Sequence, residues 1–200
     1  MVADLFEPGN YTLHWANGEK TQIKEENAAH EIGIKAPWVV HFDPAWGGPD
    51  TISFPELKSW LEFDDPGIKY YSGKATYVNR FTIDKQDFKG KKMILDLGMV
   101  QELAVVRLNN HTFPVLWMPP FKVDVSDYLV DGNNTLEIDI VNQWPNRLIG
   151  DSKLPVEKHF TKTNFIKYDQ PGSEKYLRES GLIGPVRLQL ISRKVIPGFN

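Results

Sequence analysis

Cysteine is absent from all 200 residues. That absence excludes disulfides, zinc–thiolate centres and thiol catalysis together. Neither sign of charge dominates: 23 Lys and Arg stand against 26 Asp and Glu, a formal net charge of -3. No Lys/Arg block gathers anywhere, so a nucleic-acid partner has no electrostatic footing. No apolar run approaches the roughly 20 residues that cross a bilayer as a helix, and no membrane partner is expected. The opening Met1-Val2-Ala3-Asp4 has no charged segment leading into an apolar stretch. No signal peptide is read there, which leaves a cytosolic protein or a piece of a longer chain. Internal repeats, low-complexity tracts and long 3.6-residue periodicities are missing as well.

What is present is enough chain for one sizeable core, with 41% hydrophobic residues. Aromatic content is 12%, including six tryptophans, which keeps carbohydrate binding in view. In "YTLHWANGEKTQIK" (11–24), Tyr11, Leu13 and Trp15 alternate with polar residues, and Asn17-Gly18 predicts a type I′ hairpin turn. The polar stretch 25–30 reads as a linker. Residues 1–30 are therefore expected to form a hairpin and linker, the tail of a preceding domain, with the main domain over 31–200. From Ile32 onward, short strands alternate with turns: 38–42, 74–83, 92–97, 103–108, 112–117, 121–125, 136–141 and 186–191. Phe54 to Leu61 fits a short helix or a strand. Asn109-Asn110 and Asp131-Gly132-Asn133 mark hairpin tips, and 124–129 allows one capped helical turn. Residues 150–180 read as a long excursion before a final strand. Regular short strands without long helices predict an all-β protein, an antiparallel β-sandwich.

The segments "PWVVHFDPAWGGP", "LKSWLEFDDPGIKYYSGKATYVNRF", "LDLGMVQELAVVRLNN", "LWMPPFKVDVSDYLVDGNNTLEIDIVNQWPNRLIGD" and "SGLIGPVRL" follow one another in this order. Together, over roughly 37–190, they resemble the C-terminal β-sandwich of the family 106 glycoside hydrolases, the α-L-rhamnosidases. More distantly they are similar to the sugar-binding jelly roll of family 2 glycosidases. The resemblance implies a galactose-binding-domain-like jelly roll within a larger secreted or periplasmic polysaccharide-degrading enzyme. It implies a catalytic domain upstream as partner, with the catalytic carboxylates there and none in this chain. It also makes a structural calcium ion an expectation. The loop acids of "DPAWGGPD" and "FDDPG" have suitable character, but no spacing names the ligands.

The residues give their own reading beside this one. Inverting glycoside hydrolysis needs two carboxyls facing across a cleft. Glu62, Asp64, Asp65, Asp96, Glu102 and Asp151 are candidates, and turn acids or a polar sheet face explain most of them. No catalytic residue is assigned. The five histidines are scattered, and Ser180 lacks the glycine-flanked elbow of a hydrolase serine. "WGGPD" has neither helix nor lysine after it to hold a phosphate.

Sugar sites combine aromatic platforms with planar polar side chains. On that basis the carbohydrate-binding candidates are Trp46, Tyr70, Trp144, Asn146, Arg147 and Asp151. Trp46, in a Pro/Gly loop, is expected to be the exposed tryptophan, whereas Trp117 is expected to close the core at a corner. Strand parity puts Tyr71 and Tyr77 on one face and Tyr70 opposite. In "NQWPNRLIGD" (142–151) two readings stand. Asn142 and Trp144 tuck inward at a strand end, with Asn146 and Arg147 satisfying orphan backbone and Arg147 pairing with Asp151 or Asp65. Alternatively Trp144, Arg147 and Asp151 floor a sugar pocket. The structural corner is preferred. The functional expectation is a non-catalytic carbohydrate-binding or scaffolding module of a glycoside hydrolase. A self-contained hydrolase or a purely structural interaction domain are the alternatives.

Overall fold

The computed structural model describes residues 2–5, 7–26, 30–165 and 167–196. Its strands are β1 (Val2–Leu5), β2 (Gly9–His14), β3 (Lys20–Glu25), β4 (His30–Gly33), β5 (Trp38–His41), β6 (Ile52–Phe54), β7 (Lys74–Ile83), β8 (Lys91–Asp96), β9 (Met99–Gln101), β10 (Leu103–Leu108), β11 (His111–Thr112), β12 (Lys122–Asp124), β13 (Gly132–Val141), β14 (Gly181–Gly184) and β15 (Arg187–Val195). Three short helices, α1 (Pro66–Lys69), α2 (Lys85–Phe88) and α3 (Pro145–Asp151), interrupt them.

Two antiparallel sheets face each other as a jelly-roll β-sandwich. One has six strands in the order β11-β10-β13-β7-β5-β6. The other has five: β12, β8 and β15 run side by side, and β4 and β1 share the far edge of β15. A β14–β9 pair and the β2–β3 hairpin complete the ladders. Alternation makes this possible. In β13 Leu136, Ile138 and Ile140 are fully buried while Glu137 between them is not, and β7 buries Ala75, Tyr77 and Asn79 opposite. A period of two delivers one apolar face to the core and one polar face outward.

The all-β sandwich expected from the sequence is the fold found. The aromatic stock is spent mainly inside it. Phe42 meets Tyr71, Trp60 and Phe54 at ring-centroid distances of 4.8, 5.3 and 6.2 Å, and Phe54 meets Tyr77 at 5.8 Å. Most of these contacts are edge-to-face, the arrangement ring quadrupoles favour. Trp60 Nε1 donates to the Tyr77 hydroxyl at 2.6 Å, and the Leu182 backbone N–H donates to the same oxygen at 3.2 Å. Trp38 is fully buried, as its strand predicts, with no acceptor for its Nε1 among the described residues.

Turn chemistry departs from expectation at one hairpin and agrees at another. The β2–β3 hairpin forms, but Asn17 is not in the left-handed region; only Gly18 is, at φ 87°. Gly18 N–H donates to Trp15 C=O and Trp15 N–H to Glu19 C=O. The loop is thus a type I turn closed by a glycine bulge, which needs one positive φ and not two. The type I′ geometry instead occurs at Asn109-Asn110, φ 48° and 70°, which joins the paired residues Leu108 and His111. Asparagine enters this region more readily than most residues, and Asn109 is held there by distant backbone: its Nδ2 donates to Tyr128 C=O at 2.8 Å and its Oδ1 accepts Thr135 N–H at 3.0 Å.

Candidate functional site

Ladder pairing in β13 ends at Val141, and the chain turns into α3 at Trp144, whose φ -64° and ψ -26° are already helical. Pro145 occupies the first helical position, where its missing N–H costs nothing. The strand parity that would bury Trp144 therefore stops too early. Trp144 is 55% exposed and packs edge-on against Trp46, centroids 5.1 Å apart. Trp46 is half-buried, not the exposed tryptophan the Pro/Gly loop predicts.

Behind this pair the helix is anchored by side chains distant in sequence. Ser72 Oγ accepts the Arg147 backbone N–H at 3.0 Å and donates to Gln143 C=O at 2.8 Å, capping the helix start from outside. Asn142 Nδ2 donates to Tyr71 C=O and to Ser180 Oγ, both at 2.9 Å, while its Oδ1 accepts Gly73 N–H. Fully buried Asn146 matches the backbone of Arg178: its Nδ2 donates to that carbonyl at 2.7 Å, and its Oδ1 accepts that N–H at 2.8 Å. A second bond from Asn146 Nδ2 reaches Ser180 Oγ at 3.0 Å. Two amides, one just before α3 and one in its first turn, thus hold the returning segment 178–180 against it.

Arg147 and Asp151 are 2% and 3% exposed, with Nε donating to Oδ1 at 3.0 Å. The other Asp151 oxygen accepts the N–H and the hydroxyl of Thr161 at 2.8 and 2.6 Å. The guanidinium carbon lies 4.6 Å from the centre of the Phe160 ring. Burial pulls the Arg147 guanidinium below its ordinary value, against the attraction of Asp151. A side chain at Gly150 would run into Arg147 and the Tyr70 ring, so only glycine lets this turn close. Tyr70 donates its hydroxyl to Glu174 Oε1 at 2.8 Å, and Lys153 approaches the same oxygen at 3.0 Å. Burial and then the Glu174 carboxylate push the Tyr70 phenol up.

Tyr70 and Arg147 line a cavity of about 410 Å³ together with Gly47, Lys153, Lys158 and Phe160. Of the six residues nominated from the sequence, these two share the cavity. Asn146 and Asp151 sit behind it, bound to backbone and to Arg147, and Trp46 and Trp144 pair outside it. The side chains of Asn142, Asn146, Arg147 and Asp151 are thus consumed by the corner itself. One acid in each of the two loops is used likewise: Asp43 accepts Ala45 N–H and Asp65 accepts Gly67 N–H. Among the described residues, no three His, Cys, Asp or Glu side chains gather as metal ligands would.

Sequence reasoning placed Trp117 in the core, and the structure corrects this. Trp117 is 70% exposed and Met118 53%. They lie where the chain crosses from one sheet to the other, between the Ala104–Leu116 bridge and β12. Here Trp117, Met118, Pro119 and Pro120 interrupt alternation for four residues, a signal that strand parity no longer assigns a side. Facing them is β9, and an open groove of about 630 Å³ separates the two.

The class of the chain is thus a β-sandwich whose nominated polar residues serve mainly as internal ties. No protein-family model matches the chain. It is 32% identical over 208 residues to a Formosa agariphila protein described as "Putative beta-glucuronidase", a match spanning 94% of this chain and 18% of that protein. It is also similar to the solved rhamnosidase from Novosphingobium sp. PP1Y: 34% identity, TM-score 0.70, 88% of this chain and 17% of that one. A β-glucuronidase from an uncultured Clostridium sp. shares the fold, with TM-score 0.55 at 19% identity, over 84% of this chain and 30% of that one. The chain therefore corresponds to less than a fifth of the first two proteins, as an accessory domain of a glycosidase would.

Proposed function

We propose that this chain acts as a non-catalytic accessory module of a glycoside hydrolase, rhamnosidase-like, in polysaccharide breakdown. The observation that carries the reading is the pattern of likeness: about a third of residues identical across nearly all of this chain, against under a fifth of two glycosidases. The side chains support it. Hydrolysis of a glycoside needs a carboxyl free to give a proton and a second free to take one or attack. Asp151 has both oxygens engaged with Arg147 and Thr161, Asp96 is held by Arg187 and Lys122, Asp65 caps a turn and Glu62 accepts Ser59 N–H, which leaves only Asp64 and Glu102 of the six candidate acids without such a tie among the described residues.

The test is turnover. Purified chain incubated with the nitrophenyl glycosides of α-L-rhamnose and β-D-glucuronic acid is expected to release no nitrophenol above the uncatalysed rate. Turnover abolished by Asp65→Asn, in a variant that melts like the parent, would establish a self-contained hydrolase and end the module reading.

A further inference from the structure

We infer that the groove between β9 and the Trp117–Phe121 corner is a binding site for a neutral glycan, and that it discriminates against uronic acids. The inference rests on the glycosidase-module reading for the class of ligand, and on the groove alone for the rest.

The walls are fixed. Leu116 exchanges two 2.8 Å backbone bonds with Ala104, and Phe121 C=O accepts Leu97 N–H at 3.0 Å. The corner is tied at both ends, and two prolines between restrict its φ angles. Phe121 and Val100 are buried in the floor, whereas Trp117, Met118 and Met99 stand 70%, 53% and 51% exposed around it. An indole held out at the rim of a groove by an anchored corner is a platform for the C–H face of a pyranose, with little side-chain freedom left to lose on binding.

The polar groups at the groove are free to meet hydroxyls. Among the described residues, the side chains of Gln101, Glu102 and Trp117 make no hydrogen bond or ion pair, which supplies an amide, a carboxylate and an indole N–H. This contrasts with the α3 corner, where every nominated polar side chain is already engaged.

The charges determine the sugar type. Asp96, the other acid lining the groove, is 4% exposed. Its Oδ1 accepts Gly98 N–H at 2.9 Å, and its Oδ2 lies 3.1 Å from Arg187 and 3.3 Å from Lys122. Both cations are thereby occupied, and neither lines the groove. Glu102 is the remaining charge. A glucuronate carboxylate entering here meets a like charge and no partner, whereas a neutral or deoxy sugar meets apolar surface and hydrogen-bonding groups. Although β-glucuronidases are among the similar proteins, this groove fits a neutral pyranose.

The test uses the full chain and two sets of probes followed by calorimetry and by the tryptophan Nε1–H resonances. One set is neutral: methyl α-L-rhamnoside and rhamnose-, galactose- and glucose-terminated disaccharides. The other is glucuronic-acid-terminated disaccharides. At least one neutral probe is expected to bind in the range of about 0.1–10 mM, typical of a single aromatic platform, and to shift the resonance missing from Trp117→Ala. Uronides should bind at least about fivefold more weakly, the size of one like-charge contact in water. Trp117→Ala should lose at least about tenfold in affinity with an unchanged melting temperature, because the side chain is exposed. Glu102→Gln, which removes the like charge, should bring the uronides to within about twofold of the neutral probes. Absence of binding by every neutral probe, a Trp117→Ala protein that titrates like the parent, or uronides that bind as well as neutral sugars would each overturn the inference. None of these results touches the module reading, which stands or falls on turnover.

Discussion

Asp151 is buried with its two oxygens divided between a buried guanidinium and the backbone and hydroxyl of Thr161, so its removal strands a charge, an N–H and a hydroxyl together. Breaking a buried ion pair from one side typically costs about 3–5 kcal/mol, and Asp151→Ala is expected to fall in that range by urea denaturation. A loss under about 1 kcal/mol would show that Arg147 finds water instead. Tyr77→Phe removes one oxygen that accepts from both Trp60 Nε1 and Leu182 N–H. Two buried donors left unpaired should cost on the order of 2–4 kcal/mol, read from the same unfolding curves. Asp151 was one of two partners the sequence offered Arg147, the other being Asp65, because a guanidinium at a strand end forks onto a nearby carboxylate. The roles of Ser72 and Ser180 were not legible there, since their partners are about 70 and 34–38 positions away. Trp117 was misplaced because a tryptophan beside prolines looks alike whether it plugs a core or faces water.

At the scale of elements, alternation carried most of the information. The stretches 74–83 and 103–108 form β7 and β10 with those limits, and burial alternates residue by residue along each. Segments with broken alternation fared worse. Thr112 to Trp117, expected as a strand, keeps only Thr112 in β11 and Leu116 in a single bridge. The helix α3 was missed because Pro145 after a strand reads equally as a stop or as a first helical residue. Strands β9 and β14 are too short for a periodic signal, yet their pairing holds the chain beside the core aromatics. Gly181 begins β14 at φ 101°, and a Cβ there would lie 2.5 Å from Trp60 Nε1. Gly181→Ala therefore combines backbone strain with overpacking and should cost on the order of 3 kcal/mol. Differential scanning calorimetry checks this, and an unchanged melting temperature would mean that β14 can shift without loss.

Over the whole molecule, aspartates knit the outer faces of the two sheets. On the six-stranded sheet Asp139 accepts Arg107 Nη1 and Nη2 at 2.8 and 2.9 Å and the Thr76 hydroxyl at 2.6 Å, crossing three adjacent strands. On the five-stranded sheet Asp96 joins β8 to Arg187 of β15 and Lys122 of β12, and Asp4 joins β1 to Lys92 and Arg193. Burial alone would raise Asp139 and Asp96, but their hydrogen bonds and neighbouring cations outweigh it and hold both below the ordinary carboxylate range. The Lys92 hydrogen bond, against a smaller opposing effect of burial, holds Asp4 low as well. A carboxylate depressed in the fold stabilises it fully above its unfolded value, near pH 4, and that contribution is lost as pH falls through the folded value. The melting temperature is therefore expected to be flat from about pH 7 to 5 and to fall below about pH 4. Asp139→Asn should lower it at neutral pH and flatten the acid limb, so that parent and variant converge towards about pH 2. Curves that stay parallel down to that pH would show that Asp139 does not sense acid through its proton, and would leave the acid response to Asp96 and Asp4 on the other sheet.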